Sequence, residues 1–256
     1  MFRMKGHPTV CMEAVTVSKI PVIEMFGPTI QGEGAVIGVK TMFVRTYGCD
    51  YRCGWCDSAF TWDGTAKNKV RMMEAEEIIN ELLALAGDNF DCVTISGGNP
   101  ALIGEGMGTF ISLLHERGIK AAIETQGSKW QDWFNDVDVL TISPKPPSSG
   151  MTTNWEMLDN IMSKMEKLGR STHSLKVVVF DDNDFDYAKN VHQRYPNVQL
   201  FLQPGNDDVT EEGNISARLL GRLEWLFNKV IVDSDMNKVR VLPQLHALIW
   251  HNKRGK

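Results

Sequence analysis

The chain has 256 residues, 43% of them hydrophobic, and a net charge of −5. That is ample material for one large core or two small ones, and it leaves no general basic field for nucleic acid beyond the short tail Lys253-Arg254 to Lys256. No apolar run nears the ~20 residues that cross a bilayer, and the stretch from Met1 to Lys19 lacks the apolar core of a signal peptide, so we expect a reducing cytoplasm and neither a membrane nor a nucleic-acid partner.

Residues 1–19 read as an extension outside the core and 20–256 as a single domain, with no repeat of fixed period. Segment 41–47 is predicted as a strand running into Cys49-Asp-Tyr-Arg-Cys53-Gly-Trp-Cys56. A helix follows over 74–86, with Ile78, Leu82 and Leu85 on one stripe. Next come a strand at 92–96, a helix through 110–117, and strands at 120–125 and 139–143. Thr153 to Glu156 has the form of a capping box opening a helix whose apolar face is Leu158, Ile161, Met162, Met165 and Leu168. A strand at 175–180, a helix near 187–194, a strand at 198–203 and a helix around Leu219 to Phe227 complete the series. Segments 23–26 and 230–232 are expected to add edge strands. This alternation predicts a parallel α/β sheet. Six units are too few for a closed eight-stranded barrel, so an open or partial barrel is expected.

The unusual residues fall where such strands end. The cysteine run follows the first strand and Ser96-Gly97-Gly98-Asn99-Pro100 the second. Glu124-Thr125-Gln126-Gly127, Ser143-Pro144-Lys145 and Gln203-Pro204-Gly205-Asn206 end three others. Parallel α/β folds bind ligands at the carboxyl ends of their strands, so these loops are expected to converge on one site.

The Cx3Cx2C run carries the most chemistry. Three thiolates on one short loop can hold three irons of a 4Fe–4S cluster, leaving the fourth open, whereas clusters that only carry electrons normally have four cysteines. A zinc site would need a fourth Cys or His, and Cys11, Cys92 and His115 are the remote candidates. Five cysteines and no sign of export argue against a disulfide framework.

Taken together, these motifs resemble the radical S-adenosylmethionine (SAM) enzymes, whose cysteine motif has an aromatic before its last cysteine, here Trp55. Within that superfamily they are most similar to the 7-carboxy-7-deazaguanine synthase family. The resemblance runs from Pro21 to the C-terminus and includes Gly27-Pro-Thr-Ile-Gln-Gly-Glu-Gly34, Phe43-Val-Arg45 before Gly48-Cys49, Cys56-Asp57-Ser58, Ser143-Pro-Lys145 and Gln203-Pro204. It implies a partial (β/α)6 barrel of the radical SAM type. It also implies conversion of 6-carboxy-5,6,7,8-tetrahydropterin to 7-carboxy-7-deazaguanine and ammonia, started by a 5′-deoxyadenosyl radical, with SAM regenerated, on the route to queuosine.

The same resemblance implies the site. Cys49, Cys53 and Cys56 would ligate the cluster, and Ser58 would hold Mg²⁺ through its hydroxyl. Gly98, Ser143, Pro144, Lys145, Gln203, Pro204, Gly205 and Asn206 would contact SAM. Asn99 stands where many radical SAM enzymes have Glu, and Glu124 is expected to compensate. Ile30, Gln31, Gly32, Glu33, Arg45, Ser96 and His246 would meet the pterin. By their own chemistry, Gln31 and Glu33 suit its amide and amino edge, and Arg45 suits its carboxylate; a strand-end salt bridge is the alternative for Arg45. A flavodoxin- or ferredoxin-like electron donor and a homodimer are implied partners. A radical-installing activating enzyme and a zinc-stabilised binding module are the competing readings.

Overall fold

A computed structural model describes residues 18–169, 172–206 and 208–256. Cys11 and nearly all of the expected extension lie outside the described residues. The elements in chain order are β1 (Ile20–Ile30), β2 (Lys40–Thr46), β3 (Arg71–Met73), α1 (Ala75–Ala86), β4 (Cys92–Gly97), α2 (Glu105–Glu116), β5 (Lys120–Thr125), β6 (Val139–Ile142), α3 (Trp155–Lys167), β7 (His173–Val179), α4 (Asp182–Arg194), β8 (Leu200–Pro204), α5 (Ser216–Ile231), β9 (Arg240–Val241) and α6 (Leu245–Trp250). They form one sheet in the order β3-β1-β2-β4-β5-β6-β7-β8-β9. The strands from β2 to β9 along that order are parallel, and β1 runs antiparallel to both β2 and β3.

Six parallel strands, β2 and β4 to β8, carry the expected repeat, and the sheet stays open between β3 and β9. Helices cover its outer face. Phe110, Phe134, Ile78, Leu82, Ile95 and Met107 are fully buried between sheet and helices. Each such side chain contributes about 1.5–3 kcal/mol by leaving water. The β5–β6 crossover has no α-helix. Instead a 3-10 turn at Asp132–Asp136 buries Trp133 and Phe134 where a helix face would lie.

Three expectations are corrected. Segment 230–232 is not an edge strand: Val230 and Ile231 end α5, and Val232 is its C-cap. The stripe Leu219, Leu223, Leu226 continues to Val230 against the core, so helical periodicity outweighs the local β-branched run. The capping of α3 is shifted by one residue. Asn154 accepts from Met157 N at 3.0 Å, while the Thr153 hydroxyl lies 2.5 Å from that of Tyr187. Segment 23–26 is a strand as expected, part of β1, but β1 lies between β3 and β2 rather than at the sheet edge. Among the described residues no helix is long and apolar enough to cross a membrane.

Candidate active site

The carboxyl ends of the parallel strands surround a cavity of about 410 Å³. The cysteine loop forms one end of it. The loop starts where β2 stops, and neighbouring segments fasten it: Gly48 N donates to Thr61 O, Gly98 N to Thr46 O and Asn99 N to Gly48 O, at 2.7–2.9 Å. Gly97 and Gly98 permit this approach. A Cβ on Gly98 would lie 2.0 Å from Gly48 O, and Gly97, at φ +111°, would bring one within 2.5 Å of Thr46 N and O. The glycine pair thus seats the cysteine loop as well as lining the cavity.

Cys49, Cys53 and Cys56 all face this cavity. Tyr51 N and Gln126 Nε2 reach Cys49 Sγ at 3.4 and 3.7 Å, and Trp62 Nε1 reaches Cys56 Sγ at 3.4 Å. Burial pushes all three thiols up, Cys53 to about 11, with Lys145 opposing less strongly. They are therefore neutral until a metal draws off their protons. Three convergent sulfurs with N–H donors beside two of them fit an iron–sulfur cluster. The two remote zinc candidates among the described residues do not fit: Cys92 is buried in β4, and His115 pairs with Asp138 at 2.8 Å away from the cavity.

Asn99 has a different task from the one expected. It is 1% exposed and does not line the cavity. Its amide donates to Asp50 Oδ1 at 2.9 Å and Ser128 Oγ at 3.0 Å, and accepts from Thr125 Oγ1 at 2.7 Å and Ala101 N at 3.1 Å. With its hydrogen-bonding capacity spent inside the fold, it braces the cysteine loop through Asp50, which Gln126 Nε2 also holds.

All seven residues expected at the pterin line the cavity: Ile30, Gln31, Gly32, Glu33, Arg45, Ser96 and His246. The Gln31 side-chain oxygen accepts from Gly32 N (2.6 Å) and Glu33 N (3.2 Å), which leaves its NH₂ as the free handle. Gly32 lies under α6: Leu245 N donates to Gly32 O at 3.0 Å, and a Cβ on Gly32 would sit 2.5 Å from His246 Nδ1. Arg45 combines both of its readings. It lines the cavity and pairs with Glu24 at 3.2 Å. Glu24 also takes Arg254 Nε at 2.8 Å, and the Arg254 guanidinium stacks 3.5 Å from the Phe60 ring centroid. Ser58 lines the cavity with its hydroxyl donating to Asp57 at 3.0 Å.

The residues expected at SAM divide. Gly98, Glu124, Lys145 and Asn206 line the cavity, whereas Ser143, Pro144, Gln203, Pro204 and Gly205 do not. Ser143 Oγ accepts from Lys145 Nζ at 3.0 Å and so orients that lysine. Gln203 is fully buried and donates to Pro243 O at 3.0 Å. Pro204 lines a small recess with Leu219 and Leu248. Gly205 is buried against the Phe180 ring.

The sequence reading missed Lys176 and the tail. Lys176 Nζ lies 2.5 Å from Glu33 Oε2 and 2.7 Å from Glu124 Oε1, with its side chain 3% exposed. Burial, which alone would raise Glu33, is outweighed by Lys176, His246 and hydrogen bonds from Lys176 and Gln244, and the carboxyl falls to about 2. Lys176 in turn is raised, its two carboxylates overcoming burial. The available signal was a lone lysine within the apolar strand of Leu175-Lys-Val-Val-Val179, since lysine is almost never fully buried unless paired. Lys253, Arg254 and Lys256 also line the cavity, and nothing in the tail's composition indicates that.

The sequence model of the radical SAM superfamily matches residues 43–192. The chain is 58% identical over 240 residues to the 7-carboxy-7-deazaguanine synthase of Bacillus cereus, covering 93% of this chain and 99% of that one. It is 60% identical over 239 residues to the synthase of the same name from Bacillus subtilis, covering 92% and 98%. Among solved structures, QueE from Escherichia coli superposes with a TM-score of 0.64 at 21% identity, covering 89% of this chain and 95% of that one. SuiB from Streptococcus suis gives 0.56 at 13% identity, covering 79% and 49%. At those identities the two structures support the fold alone.

Proposed function

The chain belongs to the radical SAM superfamily and within it to the 7-carboxy-7-deazaguanine synthases, and from that premise we infer how its cavity serves the reaction. The enzyme is a lyase that converts 6-carboxy-5,6,7,8-tetrahydropterin to 7-carboxy-7-deazaguanine and ammonia by radical ring contraction, in queuosine and 7-deazapurine biosynthesis. When bound, a 4Fe–4S cluster and SAM would supply the one-electron chemistry of the reaction.

The protein's own residues bind and aim. Cys49, Cys53 and Cys56 would hold the cluster. Glu124, Lys145, Asn206 and the backbone at Gly98 offer the charges and hydrogen bonds that a zwitterionic methionyl group and a ribose require. Opposite them, Glu33 accepts from the pterin's amino and ring N–H groups, the Gln31 NH₂ donates to its oxo group, and His246 closes that edge. Arg45 faces the substrate carboxylate, with Arg254 beside it on Glu24. Ser58 would bring Mg²⁺ to the substrate's oxygens, as an oxygen ligand suits that ion. A flavodoxin- or ferredoxin-like donor and a homodimer belong to this reading.

The observation that supports it most is the convergence of three cluster thiols, Glu33 and Arg45 on one cavity of about 410 Å³. That volume suits a small ligand pair better than the loop of a partner protein, which an activating enzyme would have to admit. The test is anaerobic turnover of the reconstituted protein with SAM, reductant and 6-carboxytetrahydropterin. Mass spectrometry should find 7-carboxy-7-deazaguanine dependent on SAM and reductant. No product from protein with a full cluster would overturn the substrate assignment.

A further inference from the structure

Lys176 is a buried cation within the otherwise apolar stretch 175–179 of β7, and stability alone does not account for it. Buried ion pairs replaced by well-packed apolar residues are often neutral or stabilising. Its placement is what distinguishes it. The ammonium bridges Glu33, on the β1–β2 loop, and Glu124, at the end of β5, at 2.5 and 2.7 Å. Gln244 Nε2 holds the other oxygen of Glu33 at 2.9 Å. Each oxygen of Glu33 thus has one fixed donor, which leaves each a further lone pair toward the cavity that Glu33 lines.

Without the lysine, Glu33, mostly buried, would keep Glu124 and Asp57 as acidic neighbours with no fixed cation between them, which favours its protonated form. The groups facing Glu33 are Lys176 on β7, Glu124 on β5, His246 on α6 at 3.9 Å, and Asp57 of the cysteine loop. Lys176 is the only fixed cation among these four. A protonated Glu33 would present an O–H donor to a ring edge made of N–H donors.

We propose that Lys176 is the positioning residue that sets heterocycle specificity: by bridging Glu33 and Glu124 it keeps Glu33 an acceptor-only group, so the site takes a 2-amino-4-oxo ring and rejects its 2,4-dioxo counterpart. This rests on the reading that Glu33 meets the amino edge of the pterin.

The test is equilibrium binding of two fluorescent, unreactive probes to the cluster-loaded enzyme with SAM: 6-carboxypterin, which carries the amino group, and 6-carboxylumazine, which carries an oxo group instead. A charged hydrogen bond made or lost here corresponds to a preference of about ten- to a hundredfold for the pterin in the wild type. Lys176→Met should bring the two probes to within about threefold at unchanged iron content, and Lys176→Arg should keep most of the preference. If Lys176→Met does not retain its cluster, Lys176→Gln, which keeps amide donors without the charge, makes the same comparison. Glu33→Gln separates the two layers of the argument. Loss of preference in Glu33→Gln but not in the neutral Lys176 variants overturns the role of Lys176 and leaves the reading of Glu33 standing. Full preference retained in Glu33→Gln overturns both.

Discussion

Replacing Gly205 with alanine tests how the far wall of the cavity is built. Gly205 is buried just after β8, its N–H bonded to Val179 O at 3.1 Å. A Cβ there would lie 1.9, 2.2 and 2.3 Å from three atoms of the Phe180 ring, where ordinary contact starts near 3.4 Å, so the ring must retreat by roughly 1.5 Å. Its surroundings leave little room. The Arg222 guanidinium sits 5.3 Å from the ring centroid, and Trp55, between Cys53 and Cys56, packs on the ring at 4.9 Å. Trp55 is itself tied through Nε1 to Ser148 Oγ at 2.9 Å. Overpacking of this kind costs about 1–3 kcal/mol. For a chain of this size, about 2 kcal/mol lowers Tm by roughly 4–8 °C. Gly205→Ala should therefore melt lower and hold less iron per chain, because Trp55 carries the displacement into the cysteine loop. Phe180→Leu removes the ring edge, so the double variant should recover roughly 2–4 °C relative to additivity, about 1 kcal/mol of coupling. An unchanged melting temperature in Gly205→Ala, or strict additivity in the double variant, refutes this. Weakened SAM binding with unchanged melting would instead restore Gly205 as the SAM contact that the sequence resemblance implies.

The cluster thiols are raised by burial, so metal binding must displace protons, and the thiolate fraction increases as pH rises toward their folded pKa values. Iron retained against a fixed chelator should increase from pH 6.5 to 8.5, and a flat profile would contradict neutral resting thiols. Arg45→Ala should weaken 6-carboxypterin binding about ten- to a hundredfold, the worth of a charged hydrogen bond, and change SAM affinity little. Glu24 keeps Arg254 as a partner in that variant, so equal loss of both ligands would refute the assignment. Ser58→Ala should shift the Mg²⁺ dependence of turnover to higher concentration; an unchanged titration removes Ser58 as a ligand.

Periodicity made the frame legible. The stripes in α1 and α3 and the polar loops after β2, β4, β5, β6 and β8 pointed to the parallel order and to one rim for the cysteines and Ser96, whereas Gln31, Glu33 and His246 were reached only through the family resemblance. It failed where a local pattern competes with a longer one, as at Val230 and Ile231, where the β-branched run is the last turn of an amphipathic helix. It also could not say which residue behind a motif faces the ligand. Asn99 and Gly205 lie in ligand-like loops yet spend their groups on the protein, and Gln203 is buried outside the cavity with its NH₂ on Pro243 O. Lys176 does the opposite: it sits in a strand that reads as pure core, and only its long stem brings the charge to the site. A side chain's reach across a sheet has no signature in sequence spacing.

The two ends of the cavity are assembled by different means. The cysteine loop is braced by neighbours on the adjoining strand ends, Gly98, Asn99 and Gln126, through short and largely backbone contacts that leave no space for a Cβ at Gly97 or Gly98. Such contacts fix a geometry firmly, as a metal cluster that must present one iron to a ligand requires. The substrate end draws on segments far apart in the chain: Glu24 and Glu33, then Lys176, then Gln244, His246 and Arg254, joined mainly by long charged side chains. Its shape depends on α6 resting on Gly32, where Leu245 N meets Gly32 O and no larger residue fits beneath His246. Charge balance therefore decides the substrate end to a degree that it does not decide the cluster end. Removing Lys176 would leave Glu33 without its fixed cation, so ligand binding at this end should be sensitive to single changes of charge, while the cluster end should be sensitive to added volume, as at Gly205.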